Sequence, residues 1–165
     1  MARRIALSSL ILLVLVLVGC DHATKTVAQS QLSHSGPMAL VPGVLDLQYV
    51  ENQDTAFSLT RNVSSRIKTP LLALGSALGL LAVGAFVRKK LPGAGSGERI
   101  ALAFVAAGAI ANVVDRLRRG YVVDFIYVHH WPVFNVADVL IVLGVGWLAL
   151  GVYRARGSGP PIKAS

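Results

Sequence analysis

The 165 residues contain one cysteine, Cys20, which excludes an intramolecular disulfide framework and a cysteine-rich metal site. Charge is scarce as well. Asp, Glu, Lys and Arg make up 15% of the chain, whereas a soluble domain carries about 25%. Acids are the scarcer sign, 8 against 16 Lys and Arg, for a net charge of +8. A disordered basic tail is excluded by the opposite excess, because such a tail is poor in apolar side chains and here 54% of residues are hydrophobic. With a mean hydropathy of +0.62 the chain points to lipid. The excess positive charge, which elsewhere suggests nucleic acid, has to be placed along the chain before it is assigned a partner.

The apolar residues fall into four stretches, to be compared with the roughly 20 residues that a helix needs to cross a bilayer core. The segment TPLLALGSALGLLAVGAFV, residues 69–87, is the clearest, being 19 residues without a charge. The stretches at 5–20 and 100–114 become full spans if their helices continue through Lys25 and Arg116. The fourth carries one charge, Asp138, near its start. The expectation is an all-α membrane protein, a single domain with four transmembrane helices over approximately 5–25, 69–87, 99–116 and 136–153, and a flexible tail at 154–165.

Orientation follows from Lys and Arg, which are enriched in cytoplasmic segments. With the N-terminus inside, the inner segments hold 9 basic residues and one acid, Glu98, and the outer segments and helix ends hold the other 7 basic residues and 7 acids. The compact Arg88, Lys89, Lys90 cluster and the MARR start place both termini in the cytoplasm. The whole +8 is then an orientation signal, with no nucleic-acid partner implied. Outside, residues 44–52 alternate Leu45, Leu47 and Tyr49 with Asp46 and Gln48, the period of a half-buried strand. Residues 121–128 are β-branched and aromatic, also extended chain. His129 and His130, beside Trp131, are expected at the membrane surface.

Several patterns have structural explanations. Gly75 with Gly79, and Ala103, Ala107 and Ala111, form small-residue faces that let helices approach closely. Packing of the four helices on one another accounts for them more simply than a dimer. Gly93, Gly95 and Gly97 lack the strand and spacing of a phosphate loop. The basic start and the Leu17 to Cys20 run resemble a lipoprotein signal peptide, but cleavage there would leave three further spans and remove the turn before Asp21 and Lys25.

Ionisable residues in or beside membrane helices are costly and usually serve a function. Here they gather at one end. Asp21 and Lys25 share a helix face, as do Asn112, Asp115 and Arg116. Asp138 follows Asn135 by three residues, and Asp124 lies in the segment joining the third and fourth helices. Each alone has a structural explanation: Asn135 and Asp138 as a helix cap, Arg116 as a snorkelling side chain. Two aspartates at one helix end suggest more, because close carboxylates do not both ionise easily and divide into acid and base.

The segments DHATK (21–25), ENQDTAF (51–57), NVVDR (112–116), VVDFI (122–126) and FNVADVLI (134–141) resemble, in order and spacing, the motifs of the lipoprotein signal peptidases, the type II signal peptidases of bacteria. The resemblance implies a four-helix aspartic peptidase of the bacterial inner membrane. Its working site would lie near the extracytoplasmic face, and it would cleave prolipoproteins before the diacylglyceryl-modified cysteine. It implies Asp124 and Asp138 as the catalytic pair. Asp21, Lys25, Asn52, Asn112, Asp115, Arg116 and Asn135 would be supporting and substrate-positioning residues, and a small extracytoplasmic β-like cradle would accompany them. It implies no metal or cofactor, lipidated prolipoproteins and membrane lipids as partners, and a monomer. The chain departs from the family pattern at Asp54 and Ala111, where glycine is common. Rival readings are a serine and lysine hydrolase built on Lys25, a non-enzymatic membrane scaffold, and a lipoprotein lipidated at Cys20.

Overall fold

The computed structural model describes residues 5–53 and 65–157. Four helices, α1 (Leu7–Ser35), α2 (Ser65–Lys90), α3 (Ser96–Arg119) and α4 (Val136–Gly157), are joined by three strands, β1 (Met38–Val41), β2 (Leu45–Asn52) and β3 (Val122–Val128). Among the described residues, α1, α3 and residues Val136–Arg154 of α4 are long and apolar enough to cross a membrane.

Helix α3 is the hub, touching α1, α2 and α4. Ala101, Ala107 and Ala111 are fully buried on it and Ala103 nearly so, so the expected alanine face does bring helices together. The closest approach uses two glycines. A methyl group on Gly108 would stand 2.3 Å from the Ala137 carbonyl oxygen, and one on Gly144 would stand 2.7 Å from that of Ala101. Gly75 and Gly79 differ from the expectation, since among the described residues a side-chain atom on either meets nothing within 4 Å. The outward faces are apolar instead of polar: Leu12, Leu81 and Val142 are each more than 60% exposed, the pattern of a chain whose solvent is lipid.

The helices outrun their expected limits because polar end residues continue the helix past the apolar run. Helix α1 does so most. Its 29 residues span about 44 Å against a hydrocarbon core of about 30 Å. The surplus carries Ala28 and Leu32 beneath the sheet, where they pack with Phe125 and with Leu47, Tyr49 and Ile126. Helix α4 continues to Gly157, into the segment expected as a tail; residues 158–165 lie outside the described residues.

The sheet is antiparallel in the order β1-β2-β3. Strands β2 and β3 match the two expected extended segments, and β1 is an addition. It turns back through Pro42 and Gly43, where Val44 N–H meets the Val41 carbonyl at 2.9 Å and Gly43 has φ 74°. That is the type II arrangement with proline before glycine. His129 Nε2 lies 2.9 Å from Asp46 Oδ2, so this histidine ties β3 to β2 as well as lying near the exposed Trp131.

Candidate active site

Three backbone features bring the polar residues to one place. Helix α3 ends at Gly120, whose φ of 80° and N–H to the Arg116 carbonyl close the last turn and release the chain into β3. In β3, Asp124 lies opposite Val50 of β2. Asn52, two residues further along β2, therefore shares the face of Asp124 and reaches it diagonally. After a turn containing His130 at φ 68°, Phe134 pairs with Ile126 through N–H to carbonyl bonds of 3.0 and 2.8 Å. That pairing sets the start of α4 beside Asp124.

The carboxylates are held by amides. Asp124 accepts from Asn52 Nδ2 at 2.7 Å on one oxygen and from Asn135 Nδ2 at 2.6 Å on the other. Asn135 caps α4: its Oδ1 accepts the Asp138 N–H at 3.1 Å, and its own N–H donates to Asp138 Oδ2 at 3.2 Å. This is the reciprocal pattern of a capping box. Asn112 closes the ring, donating from Nδ2 to Asp138 Oδ1 at 2.8 Å while its Oδ1 accepts from Asn135 Nδ2 at 3.2 Å. Burial pushes the Asp124 carboxyl up to about 6; the charge of Asp138 acts in the same direction, and the Asn52 and Asn135 amides and Lys25 act against it.

Behind the ring is a buried charge cluster. Lys25 is fully buried and directs Nζ to Asp21 Oδ2 and Asp115 Oδ2, both at 2.8 Å, and to Asn112 Oδ1 at 3.1 Å. Its three donors are thus all engaged. None of these partners is a serine, the nucleophile that the serine and lysine rival requires. Asp21 Oδ1 accepts the Ala137 N–H at 2.8 Å, and Asp115 Oδ2 lies 3.4 Å from the Val123 N–H. Arg116 donates to Ser76 Oγ at 2.7 Å and is close enough to Asp124, Asp138 and Asp115 to interact electrostatically. All nine residues named from the sequence meet at this end of the bundle. Asp54 lies outside the described residues.

Comparison with characterised proteins fixes the family. Residues 13–154 match the family model described as signal peptidase (SPase) II. The chain belongs to the signal peptidase II family. It is 37% identical to the lipoprotein signal peptidase of Syntrophotalea carbinolica over 149 residues, 88% of this chain and 91% of that one. Identity to the enzyme of the same name from Geobacter metallireducens is 35% over 81% of this chain and 83% of that one. For Dehalococcoides mccartyi it is 38% over 84% and 85%. Two solved bacterial membrane enzymes share the fold. One, determined in meso at 2.3 Å resolution, has a TM-score of 0.80 at 22% identity, covering all of this chain and 99% of that one. The other, at 1.9 Å, has a TM-score of 0.75 at 24% identity, with coverage of 92% and 97%.

In this signal peptidase II family member three contributors had no place among the named residues. Arg119 binds Asp115 Oδ1 at 2.8 Å. Its position four residues after Asp115 on one helix is a legible signal. His22 lies 3.7 Å from Asp115 Oδ1, and the Ala137 N–H, a backbone group, carries no sequence signal. Helix α1 runs unbroken through Cys20, which is exposed upon it.

Proposed function

We propose that this chain is an aspartic endopeptidase that removes signal peptides from prolipoproteins by cleaving before the diacylglyceryl-modified cysteine. The observation that carries the reading is the amide-linked ring in which Asn112 and Asn135 join Asp124 to Asp138. Asp138 accepts hydrogen bonds from the Asn112 side-chain amide and the Asn135 backbone N–H. It is the base that deprotonates a water. Asp124, with its carboxyl raised by burial, holds the proton that stabilises the developing oxyanion and then passes to the leaving amine. The pair titrates as a unit, and one proton shared between them is the working state.

The topology that serves this chemistry has four membrane spans, with α2 as the fourth. Both termini lie in the cytoplasm, in one domain, in the bacterial inner membrane. The carboxylates then sit at the extracytoplasmic interface, where a substrate's apolar segment leaves the bilayer and water is available. The enzyme works as a monomer, with no metal. Asp21, Lys25, Asp115 and Asn112 position the pair, and Asn52 and Arg116 border the substrate. The test is purified protein with a prolipoprotein supplied with and without its diacylglyceryl group: cleavage before the cysteine of the lipidated form alone is expected. Equal cleavage of both forms, or of neither, contradicts the proposal.

A further inference from the structure

Next to the buried charge cluster is an open cleft of about 670 Å³, between α1 at the level of Lys25 and the last turn of α3. Its walls are His22, Ala23, Thr26, Arg118 and Arg119. The peptidase ring makes no use of it. Its electrostatics are unbalanced. Two carboxylates, Asp21 and Asp115, are met by Lys25 and Arg119 at 2.8 Å. Arg118, exposed in the same turn, has no hydrogen-bond or ion-pair partner among the described residues. Arg119 commits one N–H to Asp115 out of the five that a guanidinium presents. His22 directs Nδ1 to the Val18 carbonyl at 3.2 Å, and its Nε2 lies 3.7 Å from Asp115 Oδ1. Some of this charge offsets the partial negative end of α3, but Arg118 is still left without an acid.

The surroundings suit a lipid anion. Leu117 and Val27, next to Arg118 and Thr26 in sequence, are 69% and 61% exposed. The cleft is therefore basic with apolar flanks, at the C-terminal end of a helix long and apolar enough to span. A dissolved phosphate has no use for such flanks; a phospholipid would lay its chains along them, and paired guanidinium groups are suited to its phosphate.

We propose that this cleft binds the phosphate of an anionic phospholipid, with Arg118 and Arg119 as its donors. The inference rests on the interfacial placement in the proposed function, and its test does not use peptidase activity. Full-length protein in detergent is titrated with phosphatidylglycerol, phosphatidylcholine and glycerol phosphate, and bound molecules are counted by native mass spectrometry. Phosphatidylglycerol is retained in preference to the other two. Arg118→Gln weakens its binding roughly fivefold, as expected for one basic residue near an anionic headgroup. Arg88→Gln, which removes an exposed charge from the last turn of α2, leaves binding unchanged, and so does Asp124→Asn, which separates this site from the peptidase. Binding unaffected by Arg118→Gln, an equal loss with Arg88→Gln, or equal retention of phosphatidylcholine overturns the proposal. Displacement of the lipid by an equal concentration of glycerol phosphate overturns the lipid assignment.

Discussion

The carboxylate of Asp21 on α1 accepts the backbone N–H of Ala137 on α4 at 2.8 Å, across 116 positions of sequence. One acid therefore satisfies an N–H in the first turn of the helix that carries Asp138, while its other oxygen holds Lys25. Lys25 in turn bonds Asn112, whose amide nitrogen faces Asp138. Two short routes thus run from the first helix to the same carboxylate.

Lys25→Met should be severely destabilising. The side chain is fully buried between Asp21 and Asp115, and removing one partner of a buried ion cluster costs about 3–5 kcal/mol because the remaining charges are left uncompensated. Thermal unfolding in detergent at pH 7 should show a large drop for Lys25→Met. Adding Asp21→Asn should recover part of it by removing one stranded carboxylate. A single variant as stable as the parent would mean that the cluster is not the electrostatic anchor described.

The glycines separate close packing from open surface. Gly108→Ala places a methyl 2.3 Å from the Ala137 carbonyl oxygen, a backbone atom that cannot step aside without moving α4. A cost of about 1–3 kcal/mol is expected, together with reduced cleavage, because Asp138 adjoins Ala137. Gly75→Ala meets nothing among the described residues and should gain up to about 1 kcal/mol from helix propensity. Parallel unfolding and cleavage measurements check both; a neutral Gly108→Ala contradicts the close approach.

The pH dependence follows from the direction of the Asp124 shift. Its carboxyl is raised to about 6, above the ordinary 3.8, so the folded chain binds this proton more tightly than the unfolded one. Its contribution to stability is therefore present at low pH and is lost as pH rises through about 6. If Asp124 must hold the proton, kcat/KM falls through the same range. Asn52→Ala removes an amide that favours the ionised form, so it should move that limb to higher pH. A limb that moves down, or stays in place, contradicts the assigned proton.

Much of this site was legible in the sequence because charge inside an apolar chain is conspicuous. Asp21, Lys25, Asn112, Asp115, Asn135 and Asp138 lie at helical spacings that put partners on one face, and the alternation at Leu45, Leu47 and Tyr49 marks β2. The less legible parts depend on tertiary distance. Strand β1 is a four-residue edge with exposed side chains and no alternation to reveal it. Gly108 and Gly144 stand in no repeat, and their role appears only once α3 and α4 are in contact. The Ala137 N–H belongs to the backbone, so no residue type announces it. Helix α1 outruns the apolar signal because the sheet, as well as lipid, covers its last turns.

The proposed peptidase requires Asp124 and Asp138 to act together as acid and base. Its most direct test is the single-turnover cleavage rate of a lipidated prolipoprotein by Asp124→Asn and by Asp138→Asn, each in protein whose helical content and unfolding temperature match the parent. A loss of at least about 10²-fold is expected for either variant, the scale of general acid–base catalysis, and little further loss in the double variant because the pair acts as a unit. Parental cleavage by either folded single variant would contradict it.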